Sequence, residues 1–172
     1  MHCKGHLVTK KLPTNDEISK ILEKYREDLD EEQEFSWDWY EIGGRYGGKI
    51  KINFNPNDNE ENWYCFQNRN NKYFISQAIN ELKEKIKPYY DELEWLKYMG
   101  LREKVLYVDG AFYKDMINFD LSDCFVVIDD EENLYVRQQW KNHDWIENKQ
   151  FDDKVSKIDL KDKFITIIDF HN

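Results

Sequence analysis

This sequence is short of the residues that usually declare a protein's business. Only three cysteines, three prolines and seven glycines occur in 172 residues. Cys3, Cys65 and Cys124 are odd in number, widely spaced and in no CxxC pair. That pattern indicates neither a disulfide framework nor a zinc centre, so reduced thiols are expected. No stretch approaches the ~18 apolar residues needed to span a bilayer, and the opening MHCKGHLVTKKLP lacks the long apolar core of a secretory leader. A cytoplasmic protein without a membrane partner is the expectation. A G-x-S-x-G elbow, a P-loop, a Rossmann fingerprint and a zincin helix are all missing, so no motif implies catalysis, a cofactor or a metal. Basic charge is scarce as well. Lys+Arg number 25 against 35 Asp+Glu, a formal charge of −10, which opposes general affinity for nucleic-acid backbone or anionic membrane.

What is present is enough for one core. The apolar fraction is 40% and aromatics make 16%, so the chain folds as a single domain, residues 1–172, carrying a heavily charged exterior. The acids gather as DLDEEQE (28–34), DNEE (58–61) and DDEE (129–132). Such runs are either solvated loops and helix ends or a carboxylate surface able to occupy a basic groove on a partner.

Periodicity gives the elements. CKGHLVTKKL (3–12) has the content of a first strand, ended by Pro13, and TNDE then opens a helix with Thr14 as cap and Glu17 as capping-box partner. Ile18, Ile21, Leu22, Tyr25 and Leu29 form its apolar stripe. KIKINF (49–54) alternates as a half-buried strand, and WYCF (63–66) pairs within a long polar loop from Asn55 to Lys72. A second helix begins near Ser76 with Ile79, Leu82 and Ile86 inward, breaks at Lys87 or Pro88, and resumes through Tyr89, Tyr90, Leu93 and Leu96 to Gly100. KVLYVDG (104–110), CFVVID (124–129), NLYVRQQW (133–140) and KFITIIDF (163–170) read as strands, with DDEE turning a hairpin. FVVI and ITII are continuous apolar runs and belong at the centre of a sheet. The predicted class is α+β: a mostly antiparallel mixed sheet of about six strands with two main helices packed on one face.

One segment stands apart. WDWYEIGGRYGG, residues 37–48, holds four of the glycines and two of the six tryptophans. In extended conformation Phe35, Trp37 and Trp39 share a face while Ser36, Asp38 and Tyr40 share the other. Gly43 and Gly44 can turn consecutive amides toward an anion, and Arg45 offers a planar fork for phosphate or carboxylate. Trp37, Asp38, Trp39, Tyr40, Gly43, Gly44 and Arg45 are therefore the candidate ligand-binding residues, suited to a nucleotide-type small molecule. The alternative is an aromatic turn in the core, with Arg45 paired to Asp38 or Glu41.

SWDWYEIGGRYGG resembles the W-D-W-Y-x-I-G-G-R-W signature of uncharacterised small proteins encoded by phages, prophages and other mobile elements. The opening strand and helix, GHLVTKKLPTNDEISKILEKY, and the closing ITIIDFHN with its D-x-H are similar to the same group, while the middle hundred residues have no counterpart. Tyr46 stands where tryptophan is usual in the group. The resemblance implies a mobile-element product that blocks a host defence by binding, with a host defence protein or a nucleotide signal as partner.

Histidines supply the remaining candidates. HLVT (6–9) matches an H-x-φ-T half-motif similar to two-histidine phosphoesterases, but the second copy is missing: His143 heads HDWI, and only Asn172 follows His171. Asp169 and His171 project to one face of a strand, where His6 or His2 joins them if the terminal strands are neighbours. A small hydrolase using His6, Thr9, Asp169 and His171 is the alternative to a binding protein, and an assembly protein with an aromatic interface is a third.

Overall fold

The computed structural model describes residues 1–26, 37–51, 63–65, 71–81, 84, 121–141 and 144–171. Leu29, Phe35, the acidic runs at 28–34 and 58–61, Leu82, the break at Pro88, the strand expected at 104–110 and His143 lie outside them.

The fold is α+β. Strand β1 (His2–Thr9) leads to helix α1 (Asn15–Leu22), which tightens into a 3₁₀ turn at Glu23–Tyr25. Thr14 Oγ1 accepts the Glu17 amide while Glu17 returns its carboxylate to the Thr14 amide, the predicted capping box. Then come β2 (Trp39–Ile42), a 3₁₀ turn at Gly44–Tyr46, β3 (Lys49–Lys51), β4 (Trp63–Cys65), β5 (Lys72–Phe74) and helix α2 over 75–81. The chain closes through β6 (Val126–Ile128), β7 (Leu134–Val136), β8 (Gln138–Lys141), β9 (Asp144–Glu147), helix α3 (Phe151–Val155) and β10 (Phe164–His171).

Among the described residues six strands form the main sheet in the order β2-β10-β1-β6-β7, with β5 sharing the β10 edge. Of the described pairs in this sheet, β1 and β6 run parallel and the others antiparallel. β3–β4 and β8–β9 are separate two-stranded ribbons. The apolar runs explain the centre: Ile165, Ile167 and Ile168 of β10 are fully buried on alternating faces, as are Val126, Val127 and Ile128 of β6.

Helices cover both faces rather than one. Ile18 and Leu22 of α1 pack with Leu7, Val126, Ile128, Ile168, Phe170 and Trp37. On the opposite face Ile75 and Ala78 of α2 and Phe151 and Val155 of α3 pack with Val8, Val127, Ile165 and Ile167. The cause is legible in the central strands, which have apolar side chains on both sides and must bury both. The short helix α3, which the sequence reading did not anticipate, completes the second layer.

Candidate functional site

The second face is apolar along most of its length and polar at one end, where β1 begins, β2 begins and β10 finishes. Register pairs His2 with His171 and His171 with Trp39, so these side chains form one row across three strands. The next row is Lys4, Asp169 and Glu41. Cross-strand partners share a face, so two histidines and a carboxylate far apart in sequence are neighbours.

Each histidine is held by its own carboxylate. His2 Nδ1 lies 2.9 Å from Asp169 Oδ1, and His171 Nδ1 lies 2.8 Å from Asp38 Oδ1. A carboxylate only accepts, so each ring donates from Nδ1, and its Nε2 carries the lone pair when neutral. The hydrogen bond from His171, followed by the Trp39 amide, outweighs the opposing desolvation and holds the Asp38 carboxyl below its ordinary range. The ring centroids of His2 and His171 are 5.0 Å apart at 78°. Trp39, 43% exposed, stacks on His171 at 5.1 Å and 11° and meets the edge of His2 at 5.5 Å. The result is a pair of oriented imidazoles beside an accessible indole.

The glycine segment builds the floor of this corner. Gly43 (φ 80°) and Gly44 (φ 46°) take the left-handed conformations that glycine permits. Their turn aims the Arg45 amide at Asp169 Oδ2, at 2.9 Å. The anion held by the nest is thus the protein's own carboxylate, 1% exposed. A Cβ on Gly44 would sit 2.5 Å from Asp169 Cβ, so close approach and backbone conformation both require glycine. Tyr46 adds a hydrogen bond from its hydroxyl to the His2 carbonyl at 3.1 Å, and burial raises its pKa, with the Asp169 charge adding to the effect. The Arg45 side chain is exposed and makes no ion pair among the described residues.

The predicted tryptophan platform is not formed. Trp37 is fully buried against Phe170, its ring centroid 4.4 Å away, on the α1 face, whereas Trp39 lies on the opposite face. A bend at Asp38, whose amide donates to the His171 carbonyl at 3.1 Å, breaks the alternation between them. Tyr40 is half-buried in the same core as Trp37. Of the seven segment residues, Asp38, Trp39, Gly44 and Arg45 reach the histidine corner. Trp37 and Tyr40 serve the core, and Gly43 continues the sheet by donating its amide to the Ile167 carbonyl at 2.8 Å.

His2, not His6, joins the Asp-x-His. His6 pairs in register with Ile167, is 2% exposed, and faces Asp123 instead. Thr9 is at the far end of β1, bonded to the Lys11 carbonyl, and projects to the other face from His6. The four-residue set His6, Thr9, Asp169 and His171 is therefore not brought together. The signal for His2 was the antiparallel pairing of the terminal strands, which places the second residue beside the second-last.

The DDEE run is mostly neutralised. Asp129 accepts from the amides of Glu131 and Asn133, the Asn133 side chain and the Tyr135 hydroxyl. Asp130 pairs with Lys10 and Lys163, and Glu132 with Lys24. These carboxylates hold a hairpin rather than forming an open acidic surface. No helix among the described residues is long and apolar enough to cross a membrane.

Comparison of the chain with protein-family models, with curated proteins and with solved structures returns no match.

Proposed function

We propose that this protein acts on a nucleotide-type phosphoester at the His2–His171 corner, using the two imidazoles as acid and base. The observation that carries the reading is that each ring is held at Nδ1 by a separate carboxylate, Asp169 for His2 and Asp38 for His171, and both Nε2 atoms are left without a hydrogen bond to any described residue. That is the arrangement such chemistry needs: one Nε2 accepts a proton from the attacking hydroxyl or water, while the other, protonated, donates to the departing oxygen. The carboxylates fix the tautomer and stabilise whichever ring is charged. Trp39 offers a face for a base, and Arg45 on the adjoining loop suits the phosphoryl oxygens.

A binding role without turnover is the second reading, favoured by the exposed Trp39 ring already stacked on His171. Removal of a nucleotide signal, by cleavage or by sequestration, fits the host-defence role that the resemblance to mobile-element proteins implies. The paired carboxylates of DDEE lend no support to occupation of a basic protein groove.

The test is incubation with a panel of linear and cyclic nucleotides, read by chromatography for turnover and by Trp fluorescence for binding. Expected is turnover that falls about 10²–10⁴-fold in His2→Gln and in His171→Gln, with circular dichroism unchanged. Binding without turnover selects sequestration. A double variant as active as wild type, or a wild type that neither binds nor cleaves any member, refutes the proposal.

A further inference from the structure

A second polar cluster lies deeper on the same face, separate from the histidine corner. Lys4 and His6 of β1 reach the 3₁₀ turn at Leu121–Asp123 that precedes β6. Lys4 Nζ donates to Asp123 Oδ2 at 2.6 Å, and His6 Nε2 lies 3.7 Å from Asp123 Oδ1. Cys124 follows directly, its thiol within hydrogen-bond reach of the Leu121 and Val126 carbonyls at 2.9 and 3.2 Å. The side chains of His6 and Asp123 are fully enclosed, and Cys124 is 4% exposed.

We propose that His6, Asp123 and Cys124 form a site for a divalent transition metal of zinc type. Their ligand atoms all lie within 4.8 Å of one another. Donors in a tetrahedral zinc centre are about 3.3–3.8 Å apart, so the imidazole and carboxylate are already at working separation and the thiol has at most about an ångström to close. Imidazole nitrogen, carboxylate oxygen and thiolate sulfur are the three donor types that zinc accepts, and this mixed set excludes magnesium or calcium as the preferred ion. Lys4 complements the site rather than competing for the same atom. It holds the far oxygen of Asp123 and leaves Oδ1 directed at His6, the role an outer partner plays for a ligating carboxylate.

Binding exchanges the thiol's S–H for an S–metal bond and releases that proton to solvent, while His6 enters neutral and Asp123 ionised. The metal's two charges are then balanced by thiolate and carboxylate. A tetrahedral centre takes one ligand beyond these three. Because the site ties β1 to the turn entering β6, its parallel neighbour, occupancy would stabilise the centre of the sheet. Cys3 projects to the α1 face and takes no part.

Titration of the reduced full chain with Co²⁺ tests this. One equivalent is expected to bind, with tetrahedral ligand-field bands and a thiolate-to-cobalt charge-transfer band that Zn²⁺ abolishes. Cys124→Ser should lose the charge-transfer band, Cys3→Ser should keep it, and His6→Gln should weaken binding at least about tenfold. The His2→Gln/His171→Gln double variant should keep the band, which separates this site from the proposed phosphoester site. In the wild type, where folding is not in question, one equivalent of Zn²⁺ should slow alkylation of Cys124 without changing that of Cys65. Absence of a thiolate band in the folded wild type, or its survival in Cys124→Ser, overturns the proposal.

Discussion

Replacing Gly44 by alanine should damage both the fold and the histidine corner, and the size of the effect follows from two contacts. At φ 46° an alanine meets the left-handed penalty, about 1–2 kcal/mol for a residue with a Cβ. The new methyl would also fall 2.5 Å from Asp169 Cβ and 2.6 Å from its Oδ2. Asp169 is buried between the Arg45 amide and the His2 ring, each at 2.9 Å, so it yields only by giving up one of these bonds. A hydrogen bond to a charged group is worth about 1.5–3 kcal/mol. The sum is about 2.5–5 kcal/mol, or a fall in Tm on the order of 10 °C for a chain of this size. Gly47→Ala is the control: its φ of −49° suits any residue, and the added Cβ meets the Asn71 side chain at 3.1 Å and the Gly44 carbonyl oxygen at an ordinary 3.4 Å. Its cost should be about 1 kcal/mol, the centre of the range for single substitutions and well below that of Gly44→Ala. Urea and thermal unfolding of the two variants provide the comparison, and the His2 Nδ1–H resonance reports whether Asp169 has moved. A Gly44→Ala protein as stable as Gly47→Ala, with the His2 signal unshifted, would refute the assignment of the glycine turn to Asp169.

The two tryptophans should separate by stability. Trp37→Ala removes a fully buried ring tilted against Phe170 and should cost about 3–5 kcal/mol, whereas Trp39→Ala, 43% exposed in the wild type, should cost less than about 1 kcal/mol in urea unfolding. Equal losses would mean that the bend at Asp38 does not split them. Acid should weaken the β6–β7 hairpin: burial alone would raise the Asp129 pKa, but bonds from Asn133, Tyr135 and the Glu131 amide outweigh it and hold it below the ordinary range. A depressed carboxylate pKa contributes stability that is present above the unfolded value of about 3.9 and lost as pH falls through the folded value. Asp129→Asn should therefore flatten the pH dependence of unfolding below about pH 4, and an unchanged slope would contradict the turn geometry.

The fold was legible where one local rule acted alone. Thr14 and Glu17 make the capping box at the spacing that predicts it, and the DDEE turn joins β6 to β7 as the short connection requires. Trp63–Cys65 forms a strand within the polar stretch, as expected, and its partner is Lys49–Lys51. What composition did not reveal was the second helical layer. Phe151–Val155 is too short for its periodicity to register, and its Phe151 and Val155 gain meaning only once the opposite face of β10 is known to need cover. Helix α1 is also shorter than its apolar stripe: the stripe was expected to run through Tyr25 to Leu29, which lies outside the described residues, but the turn at Tyr25 tightens to 3₁₀, where Tyr25 reaches the Glu132 carbonyl. A tertiary hydrogen bond outside the helix accompanies this change at its end.

The site was half legible for a similar reason. Side-chain alternation correctly put Asp169 and His171 on one face, but which histidine joins them depends on strand register, which follows from pairing along the whole of β1 and β10. A shift of two residues would exchange His2 for Lys4 opposite His171. The glycine segment shows the same dependence on distant partners. Its consecutive amides do make an anion site, as the backbone freedom of Gly43 and Gly44 permits, yet the anion arrives from β10. Burial of an unpaired carboxylate is strongly unfavourable, and the Arg45 amide together with the His2 ring supplies the two partners that Asp169 needs. Had packing been the only requirement, asparagine at 169 would accept the same amide bond without a charge to bury. Under the proposed acid–base role, a carboxylate there also serves the His2 ring, which holds a proton at Nδ1 and exchanges one at Nε2, and this would link the glycine turn to the histidine pair through Asp169.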